Sequence, residues 1–445
     1  MTSHPPSSPD RSGRKAALAS LVGTTVEYYD FFLYGTAAAL IFGPQFFPTF
    51  DPVAGVLASF AVFGAGFLAR PLGGIVMGHF GDKIGRKSML VISLLMVGVG
   101  TFLIGVLPNF DAIGVWAPIL LVTLRLIQGF GVGGEWSGAV LMSVEHAPKG
   151  KESLYGVFPQ VGIPLGLTIA NIAFLIASAS GHFAEWVWRV PFLFSGVLII
   201  VGFFVRMSVS ESPVFEEIKS ENVRRRLPLV DVFKEHPAGI LIAAGLPMAP
   251  IMITYIFATY GLTYMTSSLG MDKSLALTSV LVGTGFYAIQ LPFVGWLCDR
   301  VRSPEGVFLA GTAVLGAAAW AYFPLLNTKS PAMMILAAVL MSIGLAATYG
   351  PVAVLIARLF PANLRFSGSS VGYQLATLLA GAPAPFVATA IHASGSWAGI
   401  TVYMLVFVLI SLVAALIIKR INRTKQATAQ IAETTTPVLV DGRQL

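Results

Sequence analysis

Twelve apolar stretches run along the chain, near residues 17–42, 54–80, 88–107, 116–146, 153–178, 189–209, 237–268, 275–298, 305–326, 331–357, 366–391 and 397–418. Each is long enough to cross about 30 Å of hydrocarbon as a helix. Several are longer, which predicts tilt or extension past the lipid. The longest polar interval, near 207–236, follows the sixth stretch and divides the chain into two sets of six. The pattern predicts an all-α membrane protein with a polar tail over 1–16, a six-helix half over 17–209, a linker over 210–236, a second six-helix half over 237–418 and a tail over 419–445. Within the linker, Ser212 and Pro213 suit an N-cap and a first helical position. The segment ESPVFEEIKSENVRRR around them is therefore expected to form a surface helix, its charges a solvated face or, alternatively, a regulatory element.

Composition sharpens this picture. Charged residues make up 11% of the 445 positions, against about 25% in soluble domains. The 46 Gly and 27 Pro are residues that membrane helices tolerate. The net charge of +7 is dispersed among apolar spans, which excludes a nucleic-acid stripe. The first fifteen residues have no apolar core and read as a tail, not a signal peptide. With the N-terminus placed in the cytoplasm, inside segments hold 23 of the 28 Lys and Arg, and outside loops hold three, Arg189, Lys273 and Lys329. That asymmetry puts both termini inside. Cys298 is the sole cysteine, so no internal disulfide exists. The chain lacks a phosphate-binding glycine loop with its Lys-Ser/Thr and a His/Cys cluster with metal-ligand spacing. The histidines, His146 among them, fall in tails or at span ends. Neither an enzyme nor a metal or other cofactor is indicated.

A short motif repeats. Gly78-His79-Phe80-Gly81-Asp82-Lys83-Ile84-Gly85-Arg86-Lys87 follows the second stretch, and Gly295-Trp296-Leu297-Cys298-Asp299-Arg300-Val301-Arg302 follows the eighth, 217 residues later. Repeated halves related by an axis along the membrane normal are a transporter architecture. The first copy resembles the signature loop of the major facilitator superfamily, and Gly295, Asp299 and Arg300 its degraded second copy. That resemblance implies the twelve-helix fold with two pseudo-symmetric halves, a functional monomer in the lipid bilayer, and a gating role for Gly78, Asp82, Lys83, Gly85, Arg86, Lys87, Gly295, Asp299 and Arg300. Glycine lets helices approach closely, and an aspartate can sit at a neighbouring helix N-terminus. Further motifs, Val26-Glu27-Tyr28-Tyr29-Asp30-Phe31, Ala69-Arg70-Pro71-Leu72-Gly73-Gly74, Leu124-Arg125-Leu126-Ile127-Gln128-Gly129, Gly133-Gly134-Glu135-Trp136 and Glu211-Ser212-Pro213, resemble the bacterial metabolite:H⁺ symporter family. Within it, Gly78 to Lys151 is most similar to shikimate carriers, although Glu27 and Tyr28 stand where aspartate and tryptophan are expected. The resemblance implies an inner-membrane symporter that takes up a small organic anion, such as shikimate or an α-keto, di- or tricarboxylate, with H⁺ as coupling ion.

Five ionisable residues lie well inside predicted spans: Glu27, Asp30, Arg70, Arg125 and Glu135. Each costs about 2.5–3.5 kcal/mol at the bilayer centre, so all are expected to face the bundle interior and find partners. Glu27 and Asp30, three apart, share a helix face. Two close acids in a low-dielectric site cannot easily both ionise, which makes them candidates for carrying the proton, together with Glu135. The plain alternative is a permanently charged acid paired to arginine. Arg125, beside Gln128, either neutralises these acids or binds an anionic substrate with its planar fork. Arg70 is a second clamp or a structural partner. The bare glycines of the fourth stretch indicate close packing, a cavity wall or local unwinding.

The second half has no acid or base in mid-span. Its candidates are polar: Tyr255, Thr259, Tyr260, Tyr287, Gln290, Tyr349, Tyr373 and Gln374, with Tyr34 added from the first half. Such side chains orient hydroxyls and carboxylates, or simply satisfy contacts between helices. Other functions stay open: a symporter for zwitterionic osmolytes such as proline or betaine, a drug or metabolite:H⁺ antiporter, and a receptor that binds without flux. The run Gly156-Val157-Phe158-Pro159-Gln160-Val161-Gly162-Ile163-Pro164-Leu165-Gly166 fits poorly the adjacent Gly-Pro pattern of antiporters. The short C-terminal tail lacks heptads.

Overall fold

The computed structural model describes residues 9–84, 86–133, 135–145, 147–207, 228–361 and 364–435. Hydrocarbon offers no partner to a backbone N–H or C=O, so each apolar stretch closes its own bonds as a helix. The long helices are α1 (Pro9–Leu40), α2 (Pro52–Ile84), α3 (Arg86–Val106), α4 in two segments (Trp116–Val132 and Glu135–Glu145), α5 (Glu152–Ser178) and α6 (Val190–Met207). The second half repeats the set with α7 (Pro237–Ser268), α8 (Lys273–Val301), α9 (Pro304–Asn327), α10 (Pro331–Ala357), α11 (Arg365–Ala393) and α12 (Trp397–Thr435). Among the described residues nine of these pass as spans on length and composition alone. α3 and α4 contribute the shorter apolar runs Val91–Val106 and Trp116–Val132, and α1, which carries Glu27 and Asp30, completes the twelve.

Two boundaries differ from the sequence pattern. α1 starts at Pro9, a residue suited to a first turn, so part of the polar tail is helical. α12 runs past Ile418 to Thr435. The expected surface helix over 211–226, together with Gly85, Gly134 and His146, lies outside the described residues. So do the side chains of Asp82, Lys83, Arg86 and Lys87, although the backbone at those positions and at Gly78 belongs to α2 and α3.

The packing shows the internal symmetry. α1 packs on α5, α2 on α4 and α3 on α6; α7 packs on α11, α8 on α10 and α9 on α12. Across the halves α5 meets α8, and the equivalent α11 meets α2. Glycine sets the α2–α4 spacing: a Cβ on Gly129 would overlap the Gly66 carbonyl, and one on Gly73 the Phe130 carbonyl. The bare glycines of α4 thus serve close packing.

The halves touch at both ends of the bundle. At the end where α2 and α8 finish, α5 receives no cap from its own Lys151. Instead the Asp299 carboxylate accepts the backbone N–H groups of Ser153 and Leu154, both at 2.9 Å. A carboxylate there also meets the positive end of the helix dipole. Gly295 of α8 allows the approach, since a Cβ would lie 3.0 Å from the Leu154 Cα. At the opposite end Lys273 of the second half sits over the Phe183 ring, 5.3 Å from its centroid.

A valine at 129 forces α2 and α4 apart. Gly129→Val is expected to destabilise the protein by about 3 kcal/mol or more, beyond the usual overpacking cost. Gly181→Val, at a position open to 4 Å, is the control. Thermal melting in detergent checks this; equal melting of the two variants contradicts it.

Candidate functional site

Between the halves lies a narrow void of about 10 Å³, room for one water. Tyr28 and Phe32 of α1, Ile163 of α5, Thr254 and Tyr255 of α7, Tyr287 of α8, Tyr349 of α10 and Tyr373 and Thr377 of α11 surround it. An organic molecule does not fit so small a space. α7 and α11 reach the void beside π-helical turns, at Ile256–Tyr260 and Thr377–Gly381. Such one-turn expansions are frequent at functional sites. Tyr373 is the hub: its hydroxyl lies 3.4 Å from the Tyr28 hydroxyl and is hydrogen-bonded with that of Tyr349. Its ring stacks on Trp136 of α4, with centroids 3.6 Å apart and planes 3° from parallel.

Beside the void is a box of aromatic rings that holds the two mid-span arginines. Arg125 is 1% and Arg70 2% exposed. The Arg125 Cζ stands 4.4 Å from the centroids of both Phe31 and Tyr34 and 4.9 Å from that of Phe63. Arg70 lies over Phe31 and Phe67, at 4.5 and 4.3 Å. One Arg125 nitrogen, Nη1, donates to Gln128 Oε1 at 3.3 Å, and Gln128 donates onward to Thr101 at 2.7 Å. Nε and Nη2 of Arg125 and Nε of Arg70 have no acceptor. Gly66 makes the room, since a Cβ there would lie 3.0 Å from the Arg125 Nε. Tyr255 joins box and void, its ring centroid 5.6 Å from those of Phe63 and Phe67.

Asp30 does not pair with Arg125, one of the two roles that the sequence left open for that arginine. Asp30 Oδ1 accepts from Ser195 of α6 at 2.6 Å, and Thr101 of α3 faces the same carboxylate. The reason is helical phase: Asp30 sits about 200° around α1 from the void-lining Tyr28. Glu27 is buried and within electrostatic reach of Tyr28, Asp30 and Tyr255. Glu135 accepts from Ser93 of α3 at 3.1 Å and does not line the void.

The remaining predicted residues divide. Tyr255, Tyr287, Tyr349 and Tyr373 line the void, whereas Arg70, Arg125, Gln128 and Tyr34 form the adjoining box. Gln374 bridges the halves, donating to the Gly133 carbonyl at 2.8 Å. Gln290 donates to Ser342 of α10 at 3.2 Å, a contact within the second half. Tyr260 packs against Tyr264 and Phe323, away from the void. Arg300 lies over Trp296, 5.4 Å from the ring centroid. Sequence reasoning named as site residues neither Phe32, Ile163, Ile251, Thr254 and Thr377 of the void wall nor Tyr28, Trp136 and Gln160. Tyr28 and Trp136 lay inside motifs whose acids drew attention. Gln160, with both amide atoms buried and unpartnered, shares a face of α5 with the void-lining Ile163; a lone mid-span glutamine between two prolines was its signal.

A sequence profile described as Major Facilitator Superfamily matches residues 20–382. The chain is 41% identical over 422 residues to the shikimate transporter of Escherichia coli, covering 92% of this chain and 95% of that protein. It is 37% identical to an inner membrane metabolite transport protein of Escherichia coli, covering 92% and 94%. It is 30% identical to a proline/betaine transporter of Salmonella typhimurium, covering 91% and 83%. The crystal structure of a D-xylose–proton symporter superposes with a TM-score of 0.66 at 17% identity, over 91% of this chain and 97% of that one. With its fold, repeat and full-length relatives in agreement, the chain belongs to the major facilitator superfamily of membrane transporters.

Proposed function

We propose that this transporter takes up a small organic acid of the shikimate type together with protons, by alternating access between its six-helix halves. The observation that carries this reading is Arg125, a buried guanidinium whose Nε and Nη2 lack acceptors, beside a void walled by tyrosine hydroxyls. A substrate carboxylate completes the planar fork with two charge-assisted bonds. Tyr28, Tyr287, Tyr349, Tyr373 and Gln160 then offer donors and acceptors to ring hydroxyls. The named shikimate carrier among the relatives supports the same chemistry.

Proton coupling is assigned to Asp30 with Glu27. Asp30 is buried inside the first half, next to a second acid, so uptake of one proton relieves both desolvation and repulsion. The proton is the coupling ion, and no cofactor takes part. The protein works as a monomer in the inner membrane with both termini in the cytoplasm, as the Lys and Arg asymmetry supports. On that orientation the Asp299 cap on α5 belongs to the cytoplasmic gate and must break for inward opening. A second reading, a betaine-like zwitterion, is favoured by the aromatic wall, which suits a quaternary ammonium.

Arg125→Gln is expected to weaken shikimate binding by about 10- to 100-fold, the worth of hydrogen bonds to a charged group; calorimetry on purified protein measures it, and unchanged affinity removes Arg125 from the site. Asp30→Asn is expected to abolish proton-driven accumulation in proteoliposomes while shikimate counterflow survives. Uphill uptake at the wild-type level contradicts the coupling assignment. A thermal-shift comparison of shikimate, α-ketoglutarate and glycine betaine decides between the readings: stabilisation by betaine alone overturns the first.

A further inference from the structure

Tyr373 belongs to the second half, yet the first half sets its ring. The Trp136 indole lies flat on it, with centroids 3.6 Å apart and planes 3° from parallel. Aromatic pairs left to themselves prefer an offset or an edge contact, so the direct overlay is imposed by the way α4 and α11 pack. The next residue shows how. Gln374 donates to the Gly133 carbonyl at 2.8 Å and accepts from Thr377 at 3.2 Å, which registers α11 on the junction between the two segments of α4. Trp136 is 7% exposed, and its Nε1 has no acceptor among the described residues. A buried indole usually finds one, so this side chain is held for its face.

What the face holds is a hydroxyl. The Tyr373 hydroxyl is the common neighbour of those of Tyr28 and Tyr349, and all three residues line the void. A phenol free to turn about its χ angles spreads its oxygen over several positions, and ordering it on binding costs affinity. A phenol pinned in advance has no such cost. We propose that Trp136 is a positioning residue for substrate recognition: its indole face fixes Tyr373 so that the phenol hydroxyl meets a hydroxyl on the ring of the bound acid. This rests on the reading of the site given above, with a carboxylate on Arg125 and ring hydroxyls toward the tyrosines. The carboxylate end of the substrate is then indifferent to Trp136, and the hydroxyl end depends on it.

Calorimetry on the purified full-length protein tests this with two acids: shikimate, and cyclohexenecarboxylate, the same ring acid without its hydroxyls. Trp136→Met keeps an apolar, adaptable side chain and loses the flat face. It is expected to weaken shikimate about 5- to 10-fold, the worth of one neutral hydrogen bond, and to leave cyclohexenecarboxylate within about 2-fold. Trp136→Phe, which keeps a flat face, is expected to restore the preference for shikimate. Equal losses for both acids make Trp136 a packing residue and overturn the proposal. Tyr373→Phe keeps the stacked ring and removes the hydroxyl, so it decides the matter even where Trp136→Met does not fold. It is expected to reproduce the selective loss, and adding Trp136→Met to it to weaken shikimate by less than about 2-fold more. An unmoved preference in Tyr373→Phe, or losses that multiply in full in the double variant, overturns the proposal while shikimate still binds the wild type. Wild-type protein that binds neither acid is a distinct result, which overturns the anion reading and this assignment with it.

Discussion

Hydrocarbon cannot solvate a charge, and the centre of this protein is arranged around that fact. Two arginines lie in mid-bundle, and the structure meets their cost with aromatic faces, one amide and small neighbours. Phe31, Tyr34, Phe63 and Phe67 supply negative π surface, and Gln128 passes a hydrogen bond on to Thr101. Gly66 leaves space for the Arg125 side chain, and Gly129 lets α4 lie flat against α2. A buried cation so held is stable enough to fold with, and Nε and Nη2 of Arg125 remain donors without an acceptor.

The two halves are symmetric in path and unequal in chemistry. Charge belongs to α1, α2 and α4, whereas α7, α8, α10 and α11 bring tyrosines. The void forms where these sets meet, and Tyr373 ties them together through Trp136, Tyr28 and Tyr349. Contacts between halves close both ends, with Asp299 on the α5 N-terminus at one and Lys273 over Phe183 at the other. Hydrogen bonds to a charged group contribute about 1.5–3 kcal/mol each. The Asp299 clasp is therefore a substantial contact between the halves.

Much of this was legible in the sequence, because the bilayer imposes one-dimensional rules. Length of apolar runs, placement of Lys and Arg, and the recurrence of Gly, Asp and a base at equivalent loops are properties of a string. They settle the twelve helices, the two halves and the presence of buried acids and bases in the first. They also nominated four of the void-lining tyrosines. Tyr28 and Gln160 escaped, since a polar residue in a span reads the same whether it faces a cavity or a neighbouring helix.

The sequence by itself determined which groups must be hidden from lipid; only the tertiary structure decided which of them meet. Asp30 and Arg125 were natural partners on paper, yet helical phase turns Asp30 to Ser195 and leaves Arg125 on Phe31. Pairing depends on the angle each side chain takes about its own axis and on the depth at which two helices cross. Both are set by packing between segments far apart in the chain, where the order of residues carries no such information.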